Sequence, residues 1–318
     1  MIVQYIILIA ALAGIVYGAD CLVGGSVAIA RKYKVSDFVI GAAIVGVGTS
    51  MPELVVSFIG AVQGNADVAI GNVVGSNIFN ILGILGITAI FFPITISKDN
   101  MKFDIPVCIG VSILLTLLVF NFFNGDFPRI NRFDGLILLI AFCLFFWYSF
   151  HRDRNKQANE KEEFTESLSP LWLSIVKVIG GLAVLIISCD IFVNNAVEIA
   201  KSYGVNDAFI SLTLIACGTS LPELAASVTA AIRKNTQLAL GNIIGSNIFN
   251  ITLILGVSSQ VMPLESGGIT IIDYLVMVAA AIIPMLLGIK GKIDRISGAS
   301  MLTAFILYTW YLINTQVA

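Results

Sequence analysis

Residues 37–86 of this chain recur as residues 207–256. Adding 170 to a position in the first stretch gives its counterpart in the second without a gap, and 24 of the 50 paired positions are identical. The shared strings are G-T-S-x-P-E-L at 48–54 and 218–224, and G-N-x-x-G-S-N-I-F-N at 71–80 and 241–250. Two apolar segments match by chance at Leu, Ile and Val, not at Pro, Glu, Asn and Gly in fixed order. The chain therefore reads as two equivalent units, 1–150 and 169–318, joined by HRDRNKQANEKEEFTESL at 151–168. The joint is highly charged and lacks apolar periodicity, so it is expected to be a solvated linker.

Composition fixes the solvent. Hydrophobic residues make up 58% of the 318 and charged residues only 12%, with a mean hydropathy of +0.95. Soluble domains are about a quarter charged, so this is an integral membrane protein. A span takes roughly 20 apolar residues. Ten stretches qualify: 3–28, 38–62, 67–94, 103–122, 133–150, 171–198, 206–232, 237–262, 270–288 and 297–314. Helices satisfy their own backbone in lipid, so the expected fold is all-α with ten transmembrane helices. The first stretch has no basic leader and no small-residue cleavage site, and is expected to persist as a span. The five cysteines all lie in apolar stretches without a C-x-x-C pair, and the sole histidine is His151. Zinc sites and disulfides are not expected, no cofactor is implied, and a net charge of −2 gives nucleic acid nothing to bind.

Five spans per unit is an odd number, so the second unit enters the membrane from the opposite face. Basic residues test this. Fourteen fall in loops on the linker's face, including Arg31, Lys32, Lys34, Arg233 and Lys234, against Arg129, Arg132 and Lys201 on the other face. Lys and Arg collect in the cytoplasm, which puts the linker inside and both termini outside. Equivalent loops differ in basic charge: Gln63-Gly64 is uncharged where its counterpart is Arg233-Lys234, and Arg31-Lys32 carries two charges where Lys201-Ser202 carries one. This is an inverted 5+5 repeat, an architecture of many secondary transporters.

The repeated strings interrupt their helices. Pro52 and Pro222 cannot donate to Gly48 and Gly218, so the second and seventh spans should bend or break near the bilayer midplane. Such breaks are tolerated only beside protein or a wet cavity. Each break carries a carboxylate, Glu53 or Glu223. An ionised side chain at mid-bilayer costs about 2.5–3.5 kcal/mol or more, and the motif spans hold no basic residue away from their ends. The compensating cation must come from solution. Thr49 and Ser50 precede Glu53 by four and three residues, so their hydroxyls are expected to share its helix face. In the third and eighth spans Asn72, Ser76 and Asn80, and Asn242, Ser246 and Asn250, form polar stripes at i, i+4, i+8. Asn77 and Asn247 lie beside them. Asn72 and Asn242 suit coordination and interhelical hydrogen bonding equally. Gly71 and Gly75 suit close helix packing. All these donors are oxygens, which select hard cations. Two carboxylates balance one Ca²⁺, two Na⁺ or two protons, and a site that alternates between such loads exchanges them.

With these motifs the chain resembles the cation/calcium exchanger superfamily, in particular prokaryotic sodium/calcium exchangers with two alpha-repeats, here 41–86 and 211–256. The resemblance covers the whole chain. It implies broken helices 2/7 and 3/8 around a midplane ion site, with long first and sixth spans that slide against that core. It implies the ligands Thr49, Ser50, Glu53, Ser76 and Asn80 with Thr219, Ser220, Glu223, Ser246 and Asn250, and the backbone carbonyls of Gly46 and Ala216. Potassium-dependent members and some archaeal ones carry aspartate at the position of Asn250; asparagine in both repeats argues against potassium dependence. The implied function is Ca²⁺/Na⁺ antiport by alternating access, with Ca²⁺/H⁺ antiport as the alternative. The setting is the inner (plasma) membrane and its lipid, with no obligate protein partner. Asp20 and Asp190 fit gating and interfacial hydrogen bonding alike. A Ca²⁺-permeable channel of another class could use the same oxygens, although an inverted repeat in one chain fits alternating access better. Hydrolysis at Ser50 or Ser220 lacks a base, so no enzyme is expected.

Overall fold

The computed structural model describes residues 2–120, 128–159, 170–203 and 216–316. It is almost entirely helical. Helix α1 spans Ile2–Tyr33, α2 Asp37–Thr49, α3 Met51–Val62, α4 Ala66–Phe91 and α5 Asn100–Phe120. Helix α6 spans Arg132–Asn159, α7 Leu171–Ser202, α8 Ala216–Gly218 and α9 Leu221–Ile232. Helix α10 spans Thr236–Val261, α11 Ile271–Leu287 and α12 Arg295–Gln316. Eight of these helices are long and apolar enough to cross a membrane singly, and α2 with α3 forms a ninth crossing bent by 48°. The tenth crossing, expected over 206–232, is described only from Ala216 onward; its first part lies outside the described residues.

Helices α4 and α10 form the centre. Other parts of the chain enclose 83% and 94% of their apolar windows, against 17% for α7 and 11% for α12. The outer helices leave rows of large apolar side chains on the surface, such as Ile179, Ile187, Ile306 and Trp310, which lipid covers.

Two short antiparallel ladders tie loops together at opposite faces. Strand β1 (Ile94–Thr95) pairs with β4 (Lys292–Ile293), and β2 (Arg129–Ile130) pairs with β3 (Leu264–Glu265). Strands β1 and β3 are copies at the 170-residue offset, yet α5 separates their ladders. Equivalent segments of the two units thus end at opposite faces, as an axis in the membrane plane requires.

Small residues let α1 and α7 meet backbone to backbone. A Cβ on Gly18 would lie 2.6 Å from Leu185 N, and one on Gly181 would lie 2.6 Å from Leu22 N. The same contact holds α2 on α10, where Gly241 faces Phe38 and Gly245 faces Ala42. The counterparts of Phe38 and Ala42 fall at 208 and 212, outside the described residues; among the described residues a Cβ on Gly71 would lie 3.1 Å from Ile269 Cδ1, and one on Gly75 would meet nothing within 4 Å.

Two expectations need correction. Helix α6 does not stop at residue 150 but runs to Asn159, so the first part of the polar joint is helical. Arg152 anchors it, bonding Asp104 of α5 at 2.9 Å and lying 4.7 Å from the Phe103 ring centre. The third and eighth crossings are continuous helices rather than broken ones. Each takes a π-helical stretch instead, Phe79–Leu85 in α4 and Asn250–Ile254 in α10. Neither contains a proline, so the chain absorbs the irregularity by widening a turn.

Candidate ion site

The break between α2 and α3 falls on Ser50, whose backbone (φ −82°, ψ 9°) leaves the helical region. Ser220 does the same before α9 (φ −90°, ψ 10°). Pro52 and Pro222 then occupy the first turn of the new helix, where a missing N–H costs nothing. Glu53 and Glu223 follow in that turn, at the positive end of the helix dipole, which favours a carboxylate.

The break also redirects the hydroxyls. Ser50 and Glu53 do not share a helix face as an unbroken helix predicts. Ser50 Oγ donates to Glu223 Oε1 at 2.7 Å, and Ser220 Oγ donates to Glu53 Oε1 at 2.8 Å. Each carboxylate is held by the other repeat. These reciprocal contacts are the mark of two-fold symmetry, here within one chain. Both glutamates and both serines are fully buried.

Each carboxylate uses one oxygen this way. Glu53 Oε2 and Glu223 Oε2 are buried without a hydrogen-bond partner among the described residues, and so are Asn80 Oδ1, Asn250 Oδ1 and Thr219 Oγ1. Buried polar atoms are normally paired, and an isolated group costs several kcal/mol. Four of the five are pure acceptors, two of them carboxylate oxygens. The donor each needs is a cation or a proton. The serine hydroxyls, whose O–H groups donate to the carboxylates, keep lone pairs of their own.

The other expected ligands lie around this set. Thr49 Oγ1 donates to Val45 O at 3.0 Å and to Asn242 Oδ1 at 3.2 Å. Ser76 is 3% exposed and Ser246 fully buried. Ser246 Oγ donates to Gly46 O at 3.2 Å, and that carbonyl also accepts Ser50 N at 3.1 Å. In this conformation Gly46 O is therefore engaged by protein, and to face an ion it must give up Ser246. Ala216 opens α8. Asn72 and Asn242 brace the breaks. Asn72 Nδ2 donates to Glu53 O at 3.1 Å and Ser57 Oγ at 2.9 Å; Asn242 Nδ2 donates to Glu223 O at 3.2 Å and Ser227 Oγ at 2.8 Å. The π turns begin beside or on Asn80 and Asn250. Asn77 and Asn247, set aside in the sequence as neighbours of the stripe, bond directly to these two asparagines across the repeats. Their signal in the sequence was repetition alone.

A cavity of about 530 Å³ lies between α7 and the two proline turns, lined by Pro52, Val56, Asp190, Asn194, Thr219 and Pro222 among others. Its α3 and α7 walls continue from the site toward the Val62 and Ser202 ends, the face that carries β2 and β3. Asp190 lies in this cavity and accepts from Asn194 Nδ2 at 3.1 Å. Its counterpart Asp20 sits on α1 and accepts from Arg233 Nε at 2.9 Å, at the opposite face. The two aspartates differ because Arg233 is replaced by Gln63 in the first repeat.

A buried oxygen cage shared by two inverted halves of one membrane-spanning chain defines an ion transporter of the exchanger type. The family model for sodium/calcium exchanger proteins matches residues 3–151 and 173–314, and the chain belongs to that family. CaxA of Alkalimonas amylolytica is 38% identical over 99% of this chain and 100% of its own. The sodium/calcium exchanger MaX1 of Methanosarcina acetivorans is 31% identical over 98% of this chain and 99% of its own. A structure of the sodium-calcium exchanger NCX_Mj soaked with Na⁺ and Ca²⁺ matches with a TM-score of 0.82 at 32% identity, covering 99% of each chain.

Proposed function

We propose that the chain is a secondary active antiporter that exchanges Ca²⁺ for Na⁺ by alternating access, without K⁺. The carrying observation is the set of buried oxygens without a partner among the described residues: Oε2 of Glu53 and Glu223 and Oδ1 of Asn80 and Asn250. Two carboxylates neutralise one Ca²⁺, whose six to eight oxygens in flexible geometry suit a mixed cage. The proposed ligands are Glu53, Glu223, Asn80, Asn250, Thr49, Thr219, Ser50, Ser220, Ser76 and Ser246, with the carbonyls of Gly46 and Ala216. Na⁺ ions compete for the same oxygens, so the site resets only by loading the counter-ion. Sodium is favoured over protons by the names of MaX1 and NCX_Mj. Asparagine at both 80 and 250 leaves no third carboxylate for K⁺. One chain holds both halves of the site, which supports function as a monomer. The basic loops favour a plasma-membrane orientation with the joint at 151–168 cytoplasmic and the termini outside.

Uptake of ⁴⁵Ca into proteoliposomes tests this. An outward Na⁺ gradient without K⁺ should drive uptake and a pH gradient alone should not. Uptake driven only by the pH gradient refutes sodium coupling, a requirement for K⁺ refutes the independence, and flux without any counter-ion indicates a channel.

A further inference from the structure

We infer that Asn77 and Asn247 are positioning residues that hold the amides of Asn250 and Asn80 with their oxygens turned onto the ion. The inference rests on Asn80 and Asn250 being ligands, as proposed above. All four asparagines are at most 2% exposed. Asn77 Nδ2 donates to the backbone carbonyl of Asn247 at 3.1 Å, and Asn247 Nδ2 to that of Asn77 at 3.1 Å. A backbone carbonyl only accepts, so these two bonds fix which end of each amide is nitrogen. The oxygens must then face the other way. They accept from the neighbouring ligands: Asn80 Nδ2 donates to Asn247 Oδ1 at 3.0 Å, and Asn250 Nδ2 donates to Asn77 Oδ1 at 3.1 Å. Those bonds engage the nitrogens of Asn80 and Asn250 and leave each Oδ1 a buried acceptor with no partner among the described residues.

An asparagine amide has nearly the same shape when turned over, so packing alone selects neither end. Turned over, Asn80 would bring its oxygen against Asn247 Oδ1 and point an NH₂ group at a cation. The quartet prevents this with four hydrogen bonds related by the repeat symmetry. It also crosses between the repeats: Asn247 orients the ligand of the first unit, not Asn250 three residues away on its own helix.

The test is a set of mutant cycles read as KM and Vmax for Ca²⁺ in Na⁺-driven uptake. Asn247→Ala should raise KM about ten- to a hundredfold, the effect of losing a buried hydrogen bond that orients a ligand, with a smaller change in Vmax. Asn80→Ala with Asn247→Ala should be little worse than Asn80→Ala alone, whereas Asn250→Ala with Asn247→Ala should multiply. Asn247→Leu, which keeps the branched shape and the helix packing, should reproduce the KM effect if the alanine protein does not fold. Multiplicative effects in both pairs, or a loss of Vmax at unchanged KM, would overturn the positioning role. An unchanged KM in Asn80→Ala itself would instead overturn the ion-site assignment beneath it.

Discussion

Replacing Glu53 by glutamine removes one charge and almost no volume. The serine of the other repeat still finds an oxygen, because Ser220 donates to Oε1 at 2.8 Å and an amide oxygen also accepts. What changes is the balance around the ion. With two carboxylates a bound Ca²⁺ is neutralised; with one, the loaded site carries a net positive charge at mid-membrane. Insertion scales put a uncompensated charge there at about 2.5–3.5 kcal/mol. At 1.4 kcal/mol per tenfold this weakens Ca²⁺ binding roughly sixty- to three-hundredfold. One Na⁺ still finds one carboxylate, so stabilisation of the purified protein by Na⁺ should survive. Glu223→Gln should behave alike within a few-fold, because its partners Ser50 and Asn242 repeat those of Glu53. The assay is ⁴⁵Ca uptake against external Ca²⁺ under a Na⁺ gradient, with melting in Na⁺ as the folding control. An unaltered KM in either folded variant would refute the two-carboxylate site, and a large difference between the two would refute its symmetry.

Other outcomes follow from the surrounding structure. In a variant lacking the five native cysteines, a cysteine at Lys156 should react only from the cytoplasm and one at Lys201 only from outside; labelling of both from one face would break the inverted topology. Gly181→Ala puts a Cβ 2.6 Å from Leu22 N and 2.9 Å from Gly18 O, so α1 and α7 must part, costing about 1–3 kcal/mol and lowering the melting temperature; an unchanged melt would show that the crossing is looser than described. Lys234 takes a left-handed backbone (φ 60°) where its counterpart is Gly64 (φ 79°). Lys234→Gly should therefore stabilise the protein by about 0.5–1 kcal/mol, visible as a raised melting temperature, and a lower one would contradict the strain.

The Lys234 position shows why the sequence and the fold need not agree locally. Turn geometry asks for glycine, the proposed cytoplasmic placing of this loop would ask for lysine, and lysine stands in one copy only. The sequence made that asymmetry visible, as it did the spans, the repeat, the breaks at Pro52 and Pro222 and the oxygen chemistry. Each of these follows from a cost borne by single residues or short strings: apolar length against bilayer thickness, a missing N–H, a carboxylate without a counter-charge. Partner choice is different. Ser50 lies three residues from Glu53, and Asn247 lies three residues from Asn250, so local spacing pairs each with its own repeat. The structure pairs them across repeats, Ser50 with Glu223 and Asn247 with Asn80. Identical motifs offer the same donors and acceptors either way. Only the bend at Ser50 and the meeting of α4 with α10 bring the opposite copy into reach, and those depend on how helices 170 residues apart pack together. The same holds for the π turns, which no proline announces, and for the end of α6, where Arg152 finds Asp104 on a neighbouring helix and carries the helix beyond its apolar stretch.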